Sequence, residues 1–253
     1  MEGSPEKQNP KSSLIIGRQP VIEALEASRP IDKILLQANA SGDAIGKIRQ
    51  LAKSRNVPIQ VVPPEKLYSY TRLQHQGCIA LAAVIQYADL RQVITDLASA
   101  GEVPLFVMLD GVTDVRNIGA IARSAVCCGA QALIIPDKGV GALNEEALKA
   151  SAGALEKISV CRVGSLLKTI DDLHANDIRV YVSVMKAGKT LEDLAFSGPC
   201  CIVMGSEGKG IQPYIIKAAD EQFSIAMSGK FDSFNVSVAA GIILYQAMKQ
   251  RQA

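Results

Sequence analysis

Residues 231–245, FDSFNVSVAAGIILY, combine a polar turn, a helix start and a helix face of small residues within fifteen positions. The side chains of Asp232, Ser233 and Asn235 can accept hydrogen bonds from the free amides at a helix N-terminus, so one of these residues should cap a helix. From Val236 the apolar residues recur at helical spacing and no proline interrupts the run. The stretch is therefore either an ordinary C-terminal core helix with its cap, or one wall of a ligand site.

The composition is that of a soluble globular protein whose partners must be inferred from local features. The chain has 253 residues, of which 48% are apolar, enough for one large or two modest domains. Its formal net charge of +2 is too small to indicate a nucleic-acid partner by itself. Aromatic residues make up 4%, which argues against a sheet that stacks RNA bases on aromatic side chains.

The first residues do not have the pattern expected of a signal peptide. The first twelve residues, MEGSPEKQNPKS, are polar, and no run of about 18 uncharged apolar residues occurs in the chain. We therefore expect a cytoplasmic protein without a membrane partner, beginning with a disordered tail over residues 1–11.

The six cysteines form two adjacent pairs and two single residues, and none has the C-x-x-C spacing of a zinc or redox site. They are Cys78, Cys127, Cys128, Cys161, Cys200 and Cys201. We expect buried free thiols and no metal site.

Residues 12–87 alternate short apolar runs with helical patterns, which predicts a small α/β domain. One of its helices, AIGKIRQLAKSRN, carries four basic side chains that form either a solvated surface or an RNA docking face. These residues are Lys47, Arg49, Lys53 and Arg55. The amphipathic run that follows, residues 88–102, is expected to link this domain to the next.

Residues 103–253 repeat the alternation of strand and helix patterns in a second domain. Its apolar strands are continuous, which predicts a parallel sheet covered by helices on both faces. Residues 211–219, IQPYIIKAA, and residues 222–227, QFSIAM, are expected to complete that sheet before the final helix. The predicted architecture is an α/β layered domain.

Three polar, glycine-containing segments follow apolar strands of this second domain, where open α/β sheets bind ligands. Residues 109–125, LDGVTDVRNIGAIARSA, place Asn117 to cap a helix and Arg123 away from its apolar stripe. Residues 202–211, IVMGSEGKGI, match neither the glycine spacing of a dinucleotide site nor that of a phosphate loop. They suit a tight turn, either a plain one or one that offers backbone groups to a neutral heterocycle. The third segment, residues 224–238, contains the polar turn quoted above.

The arginines of the first segment have two possible roles. Arg116 or Arg123 could hold a phosphate through a bidentate hydrogen bond, or could simply face solvent or a carboxylate. Patterning alone leaves both readings open.

Together and in this order, the three segments resemble the motifs of the SpoU/TrmH family of SPOUT methyltransferases, which transfer a methyl group from S-adenosylmethionine to ribose 2′-hydroxyls of RNA. The matching residues are Asn117, Gly119 and Arg123, then Gly205, Glu207 and Gly208, then Ser233, Asn235, Ser237 and Ala240. Phe234 and Ala226 replace the family's usual Leu and Pro and leave the hydrogen-bonding residues intact. The N-terminal runs GRQPVIEAL and HQGCIALAA look like the RNA-binding domain, similar to a ribosomal-protein fold, of members that methylate ribosomal RNA.

The resemblance implies a SPOUT-type parallel sheet with a C-terminal trefoil knot, preceded by a small α/β RNA-binding domain. It also implies a homodimer in which the C-terminal helices help to form the interface. In such proteins S-adenosylmethionine lies bent among the knotted loops, with backbone groups around the adenine. The cofactor-binding residues implied here are Val184, Met204, Gly205, Gly208, Ile225, Met227, Ser233 and Asn235.

The catalytic residues that the resemblance implies are Arg123, Asn117, Glu207 and Asn235. A guanidinium holds its proton too firmly to be a comfortable base, so we interpret Arg123 as a clamp on the adjacent phosphate that stabilises the developing oxyanion. Glu207 and Asn235 would then orient Arg123 or the ribose.

The expected partner is RNA, most simply a guanosine of 23S ribosomal RNA. The RNA-binding candidates are Arg18, Lys47, Arg49, Lys53, Arg55 and Arg116. The alternatives are a transfer-RNA 2′-O-ribose methyltransferase and a non-catalytic RNA-binding or ribosome-assembly factor. A nicotinamide-dependent enzyme is disfavoured because no glycine fingerprint opens the first helix of the second domain.

Overall fold

The protein is described by a computed structural model that covers residues 14–141, 143–229 and 233–252. The chain divides into two compact units, the first ending at Val84 and the second beginning at Ile85. The disordered tail predicted for residues 1–11 lies outside the described residues, as does Asp232, one of the predicted cap candidates.

The first unit is built on a four-stranded sheet with the strand order β1-β4-β2-β3. Its elements are β1 (Leu14–Ile16), α1 (Arg18–Glu26), β2 (Ile31–Gln37), α2 (Asp43–Ser54), β3 (Ile59–Val62), α3 (Pro64–Tyr68) and β4 (Cys78–Ala82). Strand β4 pairs antiparallel with β1 and β2, whereas β2 and β3 are parallel.

Strand β2 shows how the sequence IDKILLQ fills both faces of this sheet. Successive side chains of a strand point to opposite faces. Ile34 and Leu36 accordingly pack with Ile48 of α2 in one buried cluster, while Leu35 packs with Leu67 of α3 in another. The sheet therefore buries apolar side chains on both sides.

The second unit is a six-stranded sheet with the order β10-β8-β9-β5-β6-β7. The elements up to the middle of the chain are α4 (Leu90–Ala100), β5 (Leu105–Asp110), α5 (Val115–Cys127), β6 (Ala132–Pro136), α6 (Glu145–Ser151), β7 (Ser159–Val163) and α7 (Leu166–His174). They are followed by β8 (Arg179–Ser183), β9 (Cys200–Gly205), α8 (Pro213–Ala218), β10 (Glu221–Phe223) and α9 (Val236–Gln252). Its strand pairs are parallel, so the prediction of an α/β fold with a parallel sheet is confirmed.

The strand order contains a reversal that fixes where a ligand can bind. The chain runs outward from β5 to β6 and β7, then crosses to β8 on the other side of β5. The switch point therefore lies between β5 and β9, which are hydrogen-bonded neighbours from Leu105↔Cys200 to Asp110↔Gly205. In open α/β sheets, ligands bind at the carboxyl ends of the strands at such a point.

Two predicted elements differ from the structure. Residues 211–219 were expected to be a strand, but they contain helix α8, whose first residue is Pro213. Proline suits that position because it has no amide hydrogen to lose from the helix. The helix expected to be a linker, α4, buries Leu90, Ile94 and Leu97 in the core cluster of the second unit, so it is part of that unit.

Most of the cysteines are buried, as expected, and those the structure describes are free thiols. The exceptions lie at the end of α5, where Cys127 is exposed and Cys128 is half-buried. Burial raises the pKa of Cys78 and of Cys161 to about 12 in each case. No helix within the described ranges is long and apolar enough to cross a membrane.

Candidate active site

A cavity of about 360 Å³ opens at the carboxyl ends of β8 and β9, next to the switch point of the sheet. Seven of the eight residues predicted to bind a cofactor line it, namely Val184, Met204, Gly205, Gly208, Ile225, Met227 and Ser233. The eighth, Asn235, is outside the lining and is hydrogen-bonded to Glu207, which is part of it. The volume is within the range of small-molecule sites.

The floor of this cavity includes the tight turn at the end of β9. The amide of Ser206 donates to the carbonyl of Gly210 at 3.1 Å, and the amide of Gly210 donates back at 2.9 Å. A Cβ atom on Gly205 would lie 2.4 Å from the carbonyl carbon of Gly210, so a side chain cannot be accommodated there. Gly208 and Gly210 have positive φ angles of 88° and 67°, which favour glycine. The turn is therefore built to bring backbone close to backbone beside the ligand space.

A buried carboxylate, which the sequence reasoning missed, fixes the far end of the turn. Asp110 is 2% exposed. Its Oδ2 accepts from the amide of Gln212 at 2.7 Å and its Oδ1 accepts from Nε2 of Gln212 at 3.0 Å. The available signal was the single acidic residue that ends the apolar strand LFVMLD, because a buried charge needs partners.

Glu207 joins two distant segments at the rim of the cavity. Its Oε1 accepts from Nδ2 of Asn117 at 3.2 Å, from Nδ2 of Asn235 at 2.5 Å and from the amide of Val236 at 3.4 Å. Nδ2 of Asn235 also donates to Oδ1 of Asn117 at 3.2 Å. Three of the four predicted catalytic residues therefore form one hydrogen-bonded cluster, which we call the Asn117–Glu207–Asn235 cluster.

Asn235 is also the predicted helix cap. Its Oδ1 accepts from the amide of Ser237 at 2.9 Å and from the hydroxyl of Ser237 at 2.6 Å, and α9 begins at Val236. The same side chain thus caps α9 with its oxygen and reaches Glu207 with its amide group. Asn235 therefore combines the two alternatives predicted for residues 231–245, a helix cap and a part of a ligand site.

Helix α5 begins earlier than predicted, and this changes the role of Asn117. Asp114 is the cap, since its side chain accepts from the amide of Arg116 at 2.9 Å. The prediction that Asn117 caps this helix is therefore wrong. Because Asn117 lies in the first turn and does not cap the helix, its side chain is available to donate to Glu207.

Arg116 is held in local ion pairs. Its Nη2 donates to Oδ2 of Asp114 at 3.0 Å, and its Nε lies 3.7 Å from Oε1 of Glu146. The hydrogen bonds from Arg116 hold the pKa of Asp114 below its usual value, and the hydrogen bond to Asp114 raises the pKa of Arg116.

Arg123 lies apart from the cluster. Its side chain is exposed and makes no hydrogen bond or ion pair with any residue the structure describes. It is six positions after Asn117 on α5, which places it about 9 Å further along the helix axis and about 120° around it. Glu207 and Asn235 both bond to Asn117 and neither contacts Arg123 within one chain. The other alternative, that they orient the ribose, stays a prediction.

The basic residues of α2 fall on two sides of the helix. Nζ of Lys47 lies 2.6 Å from Oε1 of Glu26, and Nη2 of Arg55 donates to the carbonyl of Glu26 at 3.2 Å. Arg49 and Lys53 are exposed, four residues apart, and point away from that contact. The prediction of a single basic face is wrong, since residues 47 and 49 differ by two positions and lie on opposite sides of a helix.

Metal ligands are not gathered at this site. Among residues 14–141, 143–229 and 233–252, no three His, Cys, Asp or Glu side chains are grouped so that they could hold a metal ion.

Comparison with known families identifies the kind of site. A model described as the SpoU rRNA Methylase family matches residues 104–245, which is more than half of the chain. The chain belongs to the SpoU family. A second model, described as RNA 2′-O ribose methyltransferase substrate binding, matches residues 14–88 of this SpoU protein. The protein is therefore an RNA methyltransferase, as its motifs predict.

Individual relatives of this SpoU protein agree. YacO of Bacillus subtilis, assigned to the TrmH family of tRNA/rRNA methyltransferases, is 33% identical over 237 residues, covering 94% of this chain and 95% of that protein. A Staphylococcus haemolyticus protein with the same family assignment is 35% identical over 238 residues, covering 94% and 96%. Among solved structures, the SpoU methyltransferase AviRb of Streptomyces viridochromogenes, in complex with the cofactor AdoMet, aligns with a TM-score of 0.61 and 25% identity over 94% of this chain and 90% of that one. The cofactor in that complex, AdoMet, is the S-adenosylmethionine that the motifs predict for this chain.

The SpoU motif residues thus occupy two places in the structure. Asn117, Glu207 and Asn235 meet at the cavity, whereas Arg123 is exposed on α5. Helix α5 packs against α9, where Gly241 approaches Ser124, the neighbour of Arg123, so that an added Cβ would lie 3.6 Å from the serine Oγ. Arg123 therefore lies near the line where the two helices meet.

Proposed function

We propose that this protein methylates a ribose 2′-hydroxyl of ribosomal RNA, with a guanosine of 23S ribosomal RNA as the target and S-adenosylmethionine as the methyl donor. The observation that carries the proposal is the Asn117–Glu207–Asn235 cluster, which stands at the rim of a cavity at the carboxyl ends of β8 and β9. The AdoMet complex of AviRb and the substrate-binding model that matches residues 14–88 support the cofactor and the ribose as the site of transfer.

The cavity suits this cofactor. Its walls combine thioether and aliphatic side chains, such as Met204, Ile225 and Met227, with the exposed backbone of the glycine turn. The glycines allow a planar heterocycle to approach amides and carbonyls directly. When bound, S-adenosylmethionine supplies an electrophilic methyl group for a ribose 2′-oxygen.

Glu207 serves this reaction as an organiser. Its Oε1 already accepts three N–H donors, so it is engaged in positioning Asn117 and the first turn of α9. A hydrogen-bonded cluster of this kind holds the rim rigid, and holding the nucleophile in line with the methyl group is the main requirement of the step. Asn117 and Asn235 then present polar groups to the ribose.

Arg123 acts on the RNA phosphate next to the reacting ribose. An exposed guanidinium can bind two phosphate oxygens and stabilise negative charge that develops on the attacking oxygen. Because a guanidinium stays protonated, the 2′-hydroxyl proton leaves to that phosphate or to water. In the first unit, Arg49 and Lys53 are exposed and suited to contact the RNA backbone.

We further propose a homodimer formed through α9 and a trefoil knot in the C-terminal part. Val238 and Tyr245, seven residues apart on one face of α9, are 50% and 56% exposed, so a partner that covers this face would bury both apolar side chains. The same helix meets α5 at Gly241, which approaches Ser124, the neighbour of Arg123. A second copy that covers this face would bring Arg123 of one protomer near the cavity of its partner, which accounts for its separation from the cluster within one chain.

Transfer RNA is the second candidate substrate. The two relatives described above belong to a family of tRNA/rRNA methyltransferases, and the TrmH/SpoU tRNA modifying enzyme of A. aeolicus aligns with a TM-score of 0.53 and 25% identity over 64% of this chain and 84% of that one. Ribosomal RNA is favoured because a part that matches the substrate-binding model, residues 14–88, precedes the catalytic part.

Titration calorimetry and methyl-transfer assays test the proposal. The full chain should bind S-adenosylmethionine and not NAD, and should transfer methyl groups to transcripts of 23S ribosomal RNA rather than to transfer RNA. Binding of NAD alone would overturn the reaction class. Methylation of transfer RNA alone would overturn the substrate. Tight RNA binding without transfer would favour a non-catalytic factor.

A further inference from the structure

The first unit contains a second cavity, of about 490 Å³, which the mechanism above does not use. Its walls come from the end of β2, the end of α3 and the loop that precedes β4. The side chains on which the inference rests are Arg18, Asn39, Tyr68, Arg72 and His75.

His75 lines this cavity and carries a buried ring nitrogen without a hydrogen-bond partner among the described residues. The residue is 5% exposed. Its Nδ1 accepts from the amide of Gly77 at 3.0 Å, so the neutral ring carries its proton on Nε2. No residue that the structure describes accepts a hydrogen bond from that Nε2. Because buried polar groups are nearly always paired, an acceptor on a ligand is the expected partner.

Two guanidinium groups line the same cavity. Nε of Arg18 donates to the carbonyl of Gln76 at 2.9 Å and its Nη1 donates to the carbonyl of Ser41 at 3.0 Å, which holds the group in place. Arg72 is exposed in the loop before β4, three residues before His75, and has no ion-pair partner among the described residues. Two arginines that line one cavity suit a phosphate.

An aromatic ring completes the wall. Tyr68, at the end of α3, is 61% exposed although it is a large side chain. Its ring meets the His75 ring edge-on, with the centroids 4.8 Å apart and an interplanar angle of 64°, so its position is supported from the interior. A supported and exposed ring face is what base stacking requires.

We propose that this cavity binds one unpaired nucleotide of the RNA substrate. Its base stacks on Tyr68 and accepts a hydrogen bond from Nε2 of His75, and its phosphate lies between Arg18 and Arg72. Asn39, an amide with donors and acceptors, contacts the edge of the base. The proposal rests on the proposed function, since it takes the ligand from the RNA that the enzyme methylates.

The two histidines of the chain allow a direct test by NMR. His75 lines the cavity, whereas Nε2 of His174 lies 2.9 Å from Oδ2 of Asp220 in the second unit. On titration of the full chain with nucleoside 5′-monophosphates, the Nε2–H signal of His75 should move and saturate while that of His174 stays fixed. Inorganic phosphate or a nucleoside without phosphate should bind more weakly. A His75 signal that no nucleotide and no RNA shifts would overturn the proposal.

Variants then distinguish RNA from a free nucleotide. Tyr68→Ala and Arg72→Gln should each weaken binding of a synthetic RNA hairpin with a four-base unpaired loop by about tenfold, and leave a fully paired duplex unaffected. Tyr68→Phe, which keeps the stacking face, and Arg29→Gln, an exposed arginine outside the cavity, are the matched controls. His75→Asn keeps an acceptor for the amide of Gly77 and removes the Nε2 donor, so it should weaken loop binding, and thermal unfolding checks that the variant is folded at the assay temperature.

The outcomes separate this proposal from the proposed function. Variants that bind the looped hairpin as tightly as the parent, in an enzyme that still methylates RNA, would refute the nucleotide cavity alone. In another outcome, the cavity binds monophosphates while the variants keep full affinity for the hairpin. That result would assign the cavity to a free nucleotide and refute the claim that it binds a nucleotide of the RNA substrate. A protein that binds loops through the cavity but never transfers a methyl group would refute the proposed function alone.

Discussion

The Oε1 atom of Glu207 is the most heavily used acceptor at the candidate active site. It receives donors from Asn117, from Asn235 and from the start of α9. Hydrogen bonds to an ionised carboxylate are roughly twice as strong as those between neutral groups. The cluster therefore ties the first turn of α5 to the first turn of α9 and to the loop that follows β9.

Asn235→Ser separates the two duties of Asn235. Serine is as good a helix cap as asparagine, so the capping of α9 is kept. The amide donor to Glu207 is lost, and because a hydrogen bond to a charged group contributes about 1.5–3 kcal/mol to stability, the free energy of unfolding should fall by no more than about that amount. With the rim no longer held in place we expect kcat to fall by roughly 10- to 100-fold. Methyl-transfer kinetics and thermal unfolding measure the two effects. A variant with normal kcat would show that the cluster does not position the reacting groups.

Arg123→Ala tests the phosphate clamp. The exposed guanidinium makes no contact with the cavity within one chain, so the Kd for S-adenosylmethionine should stay within about twofold. Loss of a charged group at the developing oxyanion should lower kcat by about 100- to 1000-fold. Arg123→Lys keeps the charge without the bidentate geometry, so its kcat should lie between that of the parent and that of Arg123→Ala. Lost cofactor affinity in calorimetry would contradict this role.

Much of the site could be predicted because its residue types are chemically specific. Gly205 must be glycine for the tight turn, and Asn235 must accept a hydrogen bond to cap α9. Asp110 was missed because nothing in a strand pattern indicates which backbone amide a buried carboxylate will meet. Asn117 was assigned the wrong role because Asp114, three residues earlier, offers an equally good cap.

At the scale of whole helices, Gly119 sets how closely α5 approaches α6. A Cβ atom at this position would lie 2.5 Å from the carbonyl oxygen of Ala147 and 2.9 Å from the amide of Ser151. Both are backbone atoms, which cannot move aside as a flexible side chain can. The motif glycine therefore has a packing role that is separate from cofactor binding.

Gly119→Ala and Gly46→Ala form a matched pair of substitutions inside helices. Gly119→Ala forces α5 from α6 and should destabilise the protein by about 1–3 kcal/mol. A Cβ atom at Gly46 in α2 meets nothing within 4 Å, so Gly46→Ala should stabilise by about 0.5–1 kcal/mol through helix propensity. Urea unfolding measures both, and an equal effect of the two changes would contradict the close contact between α5 and α6.

The elements themselves were predicted with uneven success, for physical reasons. Strands such as LFVMLD are continuous apolar runs and were found, because a parallel sheet buries both faces. Residues 211–219 are also largely apolar, and a short apolar run does not distinguish a strand from a helix. The basic residues of α2 were grouped by proximity in sequence, although Lys47 faces Glu26 and Arg49 does not.

For the molecule as a whole, each unit carries a buried thiol that resists ionisation. Cys78 lies in the core of the first unit and Cys161 in that of the second. Burial raises the pKa of each to about 12, from an ordinary value of 9.0. Between these values the unfolded chain releases a proton that the folded chain keeps, so alkaline pH favours unfolding.

Stability should therefore fall as the pH rises above about 9, by up to about 1.4 kcal/mol per pH unit for each such thiol. Urea unfolding at pH 8 and pH 10 measures the decline. Lysines and tyrosines also titrate in this range, so the double variant Cys78→Ala, Cys161→Ala is the control and should decline less steeply. Identical declines in both proteins would contradict the assignment to these thiols.

The most direct test of the whole proposal uses S-adenosylmethionine with a deuterated methyl group and ribosomal RNA as the acceptor. Alkali cleaves RNA through the free 2′-hydroxyl, so a 2′-O-methyl group protects the next linkage and leaves a dinucleotide. Mass spectrometry of the alkaline digest should find the deuterated methyl group in one dinucleotide that begins with guanosine, and the Arg123→Ala protein should form that product about 100- to 1000-fold more slowly. Label found on bases within mononucleotides, or no label in the RNA, would contradict ribose methylation by this protein.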